Sequence, residues 1–306
     1  MLDLITVGIT CYNAETTIDR CIDSALAQTW SNTEILIIDD ASTDGSWKKI
    51  SKYNKKYSNI RAFRSIQNGG YPSALNKIIS KARGKYLAFF DSDDYSEPYR
   101  LDKQIKRIKE YQNKSNTELI FCYSNRAVIR QHETLPAHIA LAIGRKAPEP
   151  FGAFVANFIL GDNKPTDFCL GIFGSCTLMV LCKNMELLGS FDEEFTRSAE
   201  WDIAIRFAQM NGHFIAVDEA LVTQFKTSGA YKSGNKPLLF SLKLREKHKE
   251  FLQAQNFYAA SKMIARSNFY GIRRHYIFGL FFRVCAFVLK PKLFLNYLLN
   301  RIKIKT

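Results

Sequence analysis

Short apolar runs alternate with longer amphipathic stretches throughout the first 125 residues. The apolar runs have strand length and cover residues 4–10, 34–38, 60–64, 86–90 and 118–123. The stretches between them have helical periodicity and cover residues 16–28, 45–57, 72–82 and 98–111. Because parallel strands need crossover connections, usually helices, this alternation predicts an α/β fold with a Rossmann-like, mainly parallel central sheet flanked by helices. Ligands of such sheets bind beyond the carboxyl ends of the strands, so the residues directly after each apolar run are the candidates for ligand binding.

The pattern changes twice along the rest of the chain. Residues 131–167 are irregular and rich in Pro and Gly, which predicts a loop-rich connection with room for one short helix. A strand over 171–181, a helix over 200–211 and a strand over 213–217 follow. We therefore expect one catalytic-type domain over residues 1–225 and a basic helical C-terminal extension over residues 226–306.

Positive charge is concentrated in this extension. The whole chain carries a formal charge of +14, and residues 226–306 contain 17 Lys and Arg but only two acids, Glu246 and Glu250. Its basic residues alternate with large apolar ones, and no recognisable nucleic-acid-binding module is present. We expect an anionic membrane surface, and no nucleic acid, as its partner.

Residues 277–289 form an apolar stretch interrupted by Arg283 that is too short to span a bilayer. Basic residues flank it at positions 273, 274, 290 and 292, which is typical of a helix lying in the membrane interface, continued over 293–302. The alternative is a helical subdomain that packs its apolar face on the catalytic core or on a dimer partner.

The cysteines and the N-terminus indicate the compartment. Seven scattered cysteines, with no Cys-x-x-Cys pair, favour reduced thiols. Asp3 and the strand-like run after it lack the basic start and apolar core of a secretory signal. We expect a cytoplasmic protein, peripheral on the inner face of the membrane.

Polar and aromatic side chains follow the first two strands. Thr10, Tyr12 and Asn13 come after the first, where a nucleobase can stack on Tyr12. Asp39 begins the acidic run 39–46 after the second strand, where its carboxylate can accept hydrogen bonds from a base or a ribose. The alternatives are a strand-to-helix turn with a buried tyrosine and a helix cap.

The fourth strand ends in Asp91, Ser92, Asp93 and Asp94. Carboxylates leaving a buried strand are costly without a cation, and Mn²⁺ or Mg²⁺ would bind both to them and to a diphosphate. The alternative is a polar turn capping the next helix.

These motifs, in their order, resemble the family 2 inverting glycosyltransferases of the GT-A fold over roughly residues 3–225. The matching elements are Tyr12 with Asn13, residues 39–46, Asn68 with Gly70, and residues 91–94 with Pro98.

The resemblance implies a role for each matching residue. Tyr12 and Asp39 would hold the base, Asp91 the ribose or sugar, and Asp93 the metal that bridges both phosphates. Other expected donor-binding residues are Thr10, Asn13, Asn68, Asn76, Ser92 and Lys226, the last in a basic flap with Ser228 and Lys232. Many relatives have Arg where this chain has Leu75, so that phosphate or sugar contact is missing.

The resemblance also implies a general base. Relatives show Glu-Asp-x-Asp where this chain has Ala199 and Glu200, so Glu200 inherits the role, with Asp202 as the rival. The spacing of Asp202 to Arg206 also suits an i,i+4 ion pair on a helix. Gly174, Ser175 and Cys176 resemble the strand that lines the donor sugar in this family; the alternative is a β-bulge or a close backbone contact.

We therefore expect transfer of a sugar from a nucleotide diphosphate sugar, with UDP-sugar favoured, to a hydroxyl of a saccharide. A lipid-linked saccharide acceptor in O-antigen-like or capsule-like bacterial polysaccharide synthesis is favoured. One alternative is a receiver-type signalling domain, although there the acidic pair follows the first strand. Another is a non-catalytic nucleotide- or polyanion-binding protein, consistent with Leu75 and Ala199.

Overall fold

The computed structural model describes residues 2–131, 133–161, 171–226 and 234–292. These residues form two compact units. The described part of the first unit is 2–131, 133–151 and 171–226, and it carries the β-sheet. The described part of the second unit is 152–161 and 234–292, and all its elements are helices.

The first unit confirms the predicted α/β class. Its strands are β1 (Ile5–Cys11), β2 (Thr33–Asp39), β3 (Ile60–Arg64), β4 (Tyr86–Asp91), β5 (Tyr95–Ser96), β6 (Ile120–Ile129), β7 (His138–Ala140), β8 (Met179–Leu181) and β9 (His213–Phe225). Its helices are α1 (Ile18–Leu26), α2 (Ser46–Lys56), α3 (Tyr71–Lys81), α4 (Arg100–Ser115), α6 (Cys182–Leu188) and α7 (Ala199–Gln209). Helix α5 (Ala153–Leu160) belongs to the second unit, together with α8 (Lys236–Lys247), α9 (Lys249–Gln253), α10 (Tyr258–Ile272) and α11 (Tyr276–Leu289).

The described strands form one mixed sheet in the order β3-β2-β1-β4-β8-β6-β9-β5, with β7 paired to β6. Strand β1 runs parallel to both β2 and β4. Its register places Cys11 opposite Asp39 and Thr10 opposite Asp91. The ends of these three strands therefore lie at the same edge of the sheet, where the sequence predicted a ligand site.

Helices cover both faces of β1, which explains why its seven residues are all buried. Alternate side chains of a strand point to opposite faces. Ile5, Val7 and Ile9 belong to a core that includes Ile22 of α1 and Ile105 of α4. On the other face, a Cβ at Gly8 would lie 2.4 Å from Cγ2 of Ile78, so glycine permits close packing of α3.

Several elements of the first unit differ from the prediction. In place of a long strand over 171–181, the chain makes a 3₁₀ turn at Ser175–Thr177, closed by Thr177 N–H bonding to the Gly174 carbonyl, before the short β8. Strands β6 and β9 are longer than predicted because they pair along their whole length, through an irregularity at residues 124–126. The irregular connection contains β7.

The second unit joins α5 to the C-terminal helices. Buried Arg245 of α8 donates to the Leu160 carbonyl (3.1 Å) and to the Ser261 hydroxyl (2.8 Å). The predicted helix over 277–289 is confirmed as α11, whereas its predicted continuation over 293–302 lies outside the described residues. The division at residues 225 and 226 stays a prediction, and the structure adds that α5 groups with the helices after it. Within the described part of the chain, every helix is too short or too polar to cross a bilayer.

Candidate active site

The loops after β1 and β2 are tied together at the sheet edge. Asn13 has a left-handed backbone (φ 49°), its N–H donates to the Ser42 hydroxyl (3.0 Å), and its Oδ1 accepts from Thr43 N–H (2.8 Å). The Tyr12 ring beside it is about half exposed, and Thr10 is buried at the strand end. The predicted base-stacking face of Tyr12 is therefore presented at the edge, while Asn13 organises the loop.

Asp39 is fully buried at the end of β2. Its Oδ2 lies 3.2 Å from Arg64 Nε and accepts weakly from Ser42 N–H (3.3 Å). Its Oδ1 is buried and has no hydrogen-bond partner among the described residues. Buried carboxylate oxygens are rarely left unpaired, so this oxygen suits a ligand donor such as a base N–H or a ribose hydroxyl.

The Asn-x-Gly segment is anchored by buried Asp40. The Asp40 carboxylate accepts from Gly69 N–H (3.1 Å) and Gly70 N–H (2.7 Å), and its carbonyl accepts from the Asn68 side chain (3.2 Å). Gly70 has a φ of 83°, which other residues rarely adopt. The structure therefore places Asn68 in the support of this loop.

Two other predicted donor-binding residues lie in different settings. The Asn76 side chain donates to the Phe191 carbonyl (2.9 Å) and Glu193 (3.0 Å) and accepts from Phe191 N–H (2.8 Å), so it fastens α3 to the segment after α6. Lys226 is exposed directly after β9, with its N–H bonded to the Ile129 carbonyl (2.9 Å). Ser228 and Lys232, also expected in the flap, lie outside the described residues.

An acidic group follows β4. Ligating atoms of Asp91, Asp94 and Cys176 lie within 4.8 Å of one another. Burial, together with the charge of Asp93, raises the pKa of Asp91. Burial and the charges of Asp91 and Asp93 likewise raise the pKa of Asp94, whose Oδ2 is buried without a partner among the described residues. A cation would relieve this repulsion.

The donor atoms decide which cation fits. Carboxylate oxygens suit Mn²⁺ or Mg²⁺. Burial raises the pKa of the Cys176 thiol well above its ordinary value, and its sulfur accepts from Arg126 Nη1 (3.1 Å), so Cys176 is a poor ligand for either ion. Asp93, the predicted ligand, is not a member of this cluster among the described residues, and its carbonyl accepts from Arg20 Nη2. Ser92 lies in the partly buried turn between these carboxylates.

Glu200 lies in the first turn of α7 and faces the same site. Its Oε1 accepts from both the N–H (2.8 Å) and the hydroxyl (2.6 Å) of Ser175. The Tyr71 hydroxyl is 2.6 Å from Ser175 Oγ and donates to Asp91 Oδ1 at 2.8 Å. The structure thus brings the predicted base and the predicted donor-sugar carboxylate into one hydrogen-bonded cluster.

The carboxylate of Asp202 contacts Arg206 on the same helix. It is fully buried, and its Oδ2 accepts from Arg206 Nε at 2.9 Å, four residues later on α7. Arg206 also donates to the Ser190 carbonyl (2.5 Å). This arrangement supports the ion-pair alternative for Asp202 and leaves Glu200 as the candidate base.

Sequence reasoning missed two residues of the cluster, Tyr71 and Arg126. Tyr71 directly follows the recognised Asn-x-Gly segment, so its position in the sequence could have indicated it. Arg126 lies beyond the predicted end of β6, which hid its approach to the site. Although burial opposes it, the neighbouring Cys176 and Glu200 raise the pKa of Arg126, so it is a cation within the acidic cluster.

The chain is similar in sequence to known glycosyltransferases. The E. coli protein "UDP-Glc:alpha-D-GlcNAc-diphosphoundecaprenol beta-1,3-glucosyltransferase WfaP" is 36% identical over 124 residues, which are 40% of this chain and 46% of that protein. The "Poly(ribitol-phosphate) beta-glucosyltransferase" of Bacillus spizizenii is 40% identical over 112 residues, 36% of this chain and 18% of that protein. The chain thus matches less than half the length of either relative.

A solved structure supports the fold, and a sequence profile supports the family. S. aureus TarS 1-349, crystallised with UDP-GlcNAc, superimposes with a TM-score of 0.61 at 20% identity, covering 94% of this chain and 75% of that one. This likeness confirms the GT-A fold. The profile described as "Glycosyl transferase family 2" matches residues 6–163, which is more than half of the chain. With this profile and the ordered strand-end motifs, the chain belongs to glycosyl transferase family 2.

Proposed function

We propose that this protein transfers a sugar from a nucleotide diphosphate sugar to a hydroxyl of a saccharide acceptor, with inversion at the anomeric carbon. The observation that carries the proposal is the meeting of Glu200 with Asp91 through Ser175 and Tyr71. Inversion needs one carboxylate that takes the acceptor proton while the leaving group departs from the opposite face of the sugar. We favour a UDP-sugar, because the name of one similar protein contains UDP-Glc and a structurally similar protein was crystallised with UDP-GlcNAc.

Different residues of the candidate site bind the donor and take the acceptor proton. Tyr12 stacks on the base and the unpaired Oδ1 of Asp39 accepts from the base or ribose, while Asp91 binds the ribose or sugar. Glu200 takes the proton of the attacking hydroxyl, and its two bonds from Ser175 hold its carboxylate in place. Lys226, exposed at the end of β9, contributes positive charge near the diphosphate.

A divalent metal fits the acidic group, and we propose Mn²⁺ or Mg²⁺ as the cofactor. Asp93 would hold it, as the resemblance implies, together with Asp94, whose buried Oδ2 has no partner among the described residues. When bound, the metal offsets the charge of the departing nucleotide diphosphate.

The test is turnover of a panel of nucleotide sugars by purified protein with Mn²⁺ or Mg²⁺. We compare wild type with Glu200→Gln and Asp93→Asn, and use Glu219→Gln, an exposed carboxylate paired with Lys103, as the matched control. We expect metal-dependent turnover of one donor that is lost in the first two variants and kept in the control.

Absence of turnover would favour a non-catalytic protein. If membrane extract as acceptor source produces no turnover, and nucleotide binding is indifferent to Asp93→Asn, the chain is a non-catalytic nucleotide-binding member of the family. Leu75 and Ala199, at positions where relatives have Arg and Glu, are the features that would fit that outcome.

We further propose that the acceptor is a lipid-linked saccharide of a surface polysaccharide and that the protein binds the inner face of the membrane peripherally. The names of two similar proteins contain an acceptor, GlcNAc-diphosphoundecaprenol in one and poly(ribitol-phosphate) in the other. Helix α11 supports the membrane partner. Ile277, Phe281, Val284 and Val288 form an exposed stripe along it. Basic Arg273, Arg274 and Lys290 lie at its ends, which complements anionic lipid.

Vesicle flotation tests the membrane partner. Wild type should float with phosphatidylglycerol vesicles and not with phosphatidylcholine vesicles. The double variant Ile277→Glu, Phe281→Glu should remain at the bottom of the gradient, whereas Leu239→Glu, an exposed leucine on α8, should float like wild type. Equal flotation of all three proteins would contradict the proposal.

A further inference from the structure

Tyr71 joins the two ends of the candidate site. Its hydroxyl lies 2.8 Å from Asp91 Oδ1 and 2.6 Å from Ser175 Oγ. Asp91 lies at the end of β4 and Ser175 in the 3₁₀ turn before β8, so one phenol oxygen spans elements that are distant in sequence. The ordinary pKa of a tyrosine hydroxyl is about 10, so the hydroxyl of Tyr71 carries its proton at neutral pH.

Ser175 and Asp91 compete for the single hydroxyl proton of Tyr71. Ser175 has one hydroxyl proton and uses it in the 2.6 Å bond to Glu200. Its oxygen can then only accept from Tyr71. Tyr71 also has one proton, so it can donate fully to Ser175 or to Asp91, but not to both.

We propose that Tyr71 is a positioning residue that couples occupancy of the donor end to the orientation of the base. When a donor group engages Asp91, the Tyr71 hydroxyl turns to Ser175. A serine hydroxyl that accepts a hydrogen bond is a stronger donor, so its bond to Glu200 tightens. The carboxylate of Glu200 is then held for the acceptor once the donor is in place. This inference rests on the proposed function, in which Glu200 is the base.

The test uses four proteins besides wild type: Tyr71→Phe, Ser175→Ala, the double variant, and Tyr53→Phe as matched control. Tyr53 also donates its hydroxyl to an aspartate, Asp23, but on the surface helices α1 and α2. We expect kcat to fall about tenfold in each single variant, the size that follows from losing one hydrogen bond to a charged group. Tyr71→Phe should also change the dissociation constant for the donor, because Asp91 no longer exchanges the Tyr71 hydroxyl for a donor group, whereas Tyr53→Phe should leave that constant unchanged.

Non-additivity identifies the coupling. If Tyr71 acts through Ser175, the double variant is no slower than Ser175→Ala alone. Ser175→Thr, which keeps the hydroxyl, should recover most of the lost kcat. Additive losses in the double variant, or a Tyr71→Phe protein as active as Tyr53→Phe, would overturn the coupling.

A second measurement separates this inference from the proposed function. If wild type and Tyr53→Phe turn over no donor, the proposed function fails. The hydrogen-bonded bridge from Asp91 through Tyr71 to Ser175 is then tested by the urea unfolding midpoints of the same variants. A double variant as stable as the weaker single variant would support the bridge. Additive losses of stability would contradict it.

Discussion

Asp202 and Arg206 form a buried ion pair one turn apart on α7, with 2.9 Å between Oδ2 and Nε. The Asp202 side chain is fully buried, and that of Arg206 is 21% exposed. The same helix carries Glu200 in its first turn, so two carboxylates close in sequence have different surroundings. Only the carboxylate of Glu200 faces Ser175 and the candidate site.

Replacing Asp202 by Ala should therefore lower the stability of the fold. Removal of Asp202 leaves the partly buried Arg206 without its carboxylate partner, and we expect the free energy of unfolding to fall by about 2 kcal/mol. Urea unfolding followed by circular dichroism measures this change. Glu200→Gln is the comparison: it should keep nearly wild-type stability while losing activity. A stable and inactive Asp202→Ala protein would return Asp202 to the role of base.

Asp40→Ala should loosen the segment before α3. The Asp40 carboxylate holds the N–H groups of Gly69 and Gly70, and hydrogen bonds to a charged group contribute about 1.5–3 kcal/mol. We expect a loss of about 2 kcal/mol in unfolding free energy and faster amide exchange at these two glycines. Hydrogen-exchange mass spectrometry checks the second effect, with the exposed Asp23→Ala as control. Unchanged exchange at residues 69–70 would contradict this role of Asp40.

Gly144→Ala should be far more destabilising than Gly189→Ala. Both glycines have positive φ, 75° and 72°, so each alanine incurs backbone strain of about 1–2 kcal/mol. A Cβ at Gly144 would also lie 2.0 Å from the Phe214 carbonyl oxygen, whereas nothing lies within 4 Å of one at Gly189. Thermal unfolding of the two variants measures the difference. Equal melting temperatures would show that the strand at Phe214 can yield.

Stability should fall below neutral pH through His213. Its ring stacks on Phe151, its Nδ1 lies 2.8 Å from the Tyr111 hydroxyl, and burial lowers its pKa below the ordinary 6.5. The folded chain therefore binds fewer protons here than the unfolded chain, and the stabilisation present above pH 6.5 is lost as pH falls through the lower folded value. Urea unfolding between pH 7.5 and about 5 should show a shallower decline for His213→Gln than for wild type. His138→Gln, on the exposed face of β7, should decline as wild type does.

Much of the first unit could be predicted because local pattern and tertiary structure agree there. The run at residues 86–90 is apolar because helices cover both faces of the sheet at this strand, and it became β4 within one residue. The run at residues 60–64 became β3, although only Ile60 in it is buried. The placement of Thr10, Asp39 and Asp91 followed from the rule that parallel strands end at one edge.

Other features depend on contacts that no local pattern records. Strand β6 extends to Ile129 because β9 pairs with it, and this extension carries Arg126 to Cys176. Asn76 matches a donor-binding motif, yet its amide bonds to residues 191 and 193, which are far away in sequence. The roles of Tyr71 and Ser175 likewise require the distance between them, which sequence cannot supply.

The membership of α5 in the second unit has a practical consequence for domain exchange. The chain leaves the first unit after Phe151, contributes Val155 and Leu160 to the helical unit, and returns to the sheet before β8. A chimaera joined at a single point near residue 226 would combine one parent's α5 with the other parent's α8 and α10. The contacts of Arg245 and Ser261 with the Leu160 carbonyl would then be made between mismatched sequences. Grafting the helical unit onto another enzyme therefore requires two junctions, and residues 152–161 must travel with it.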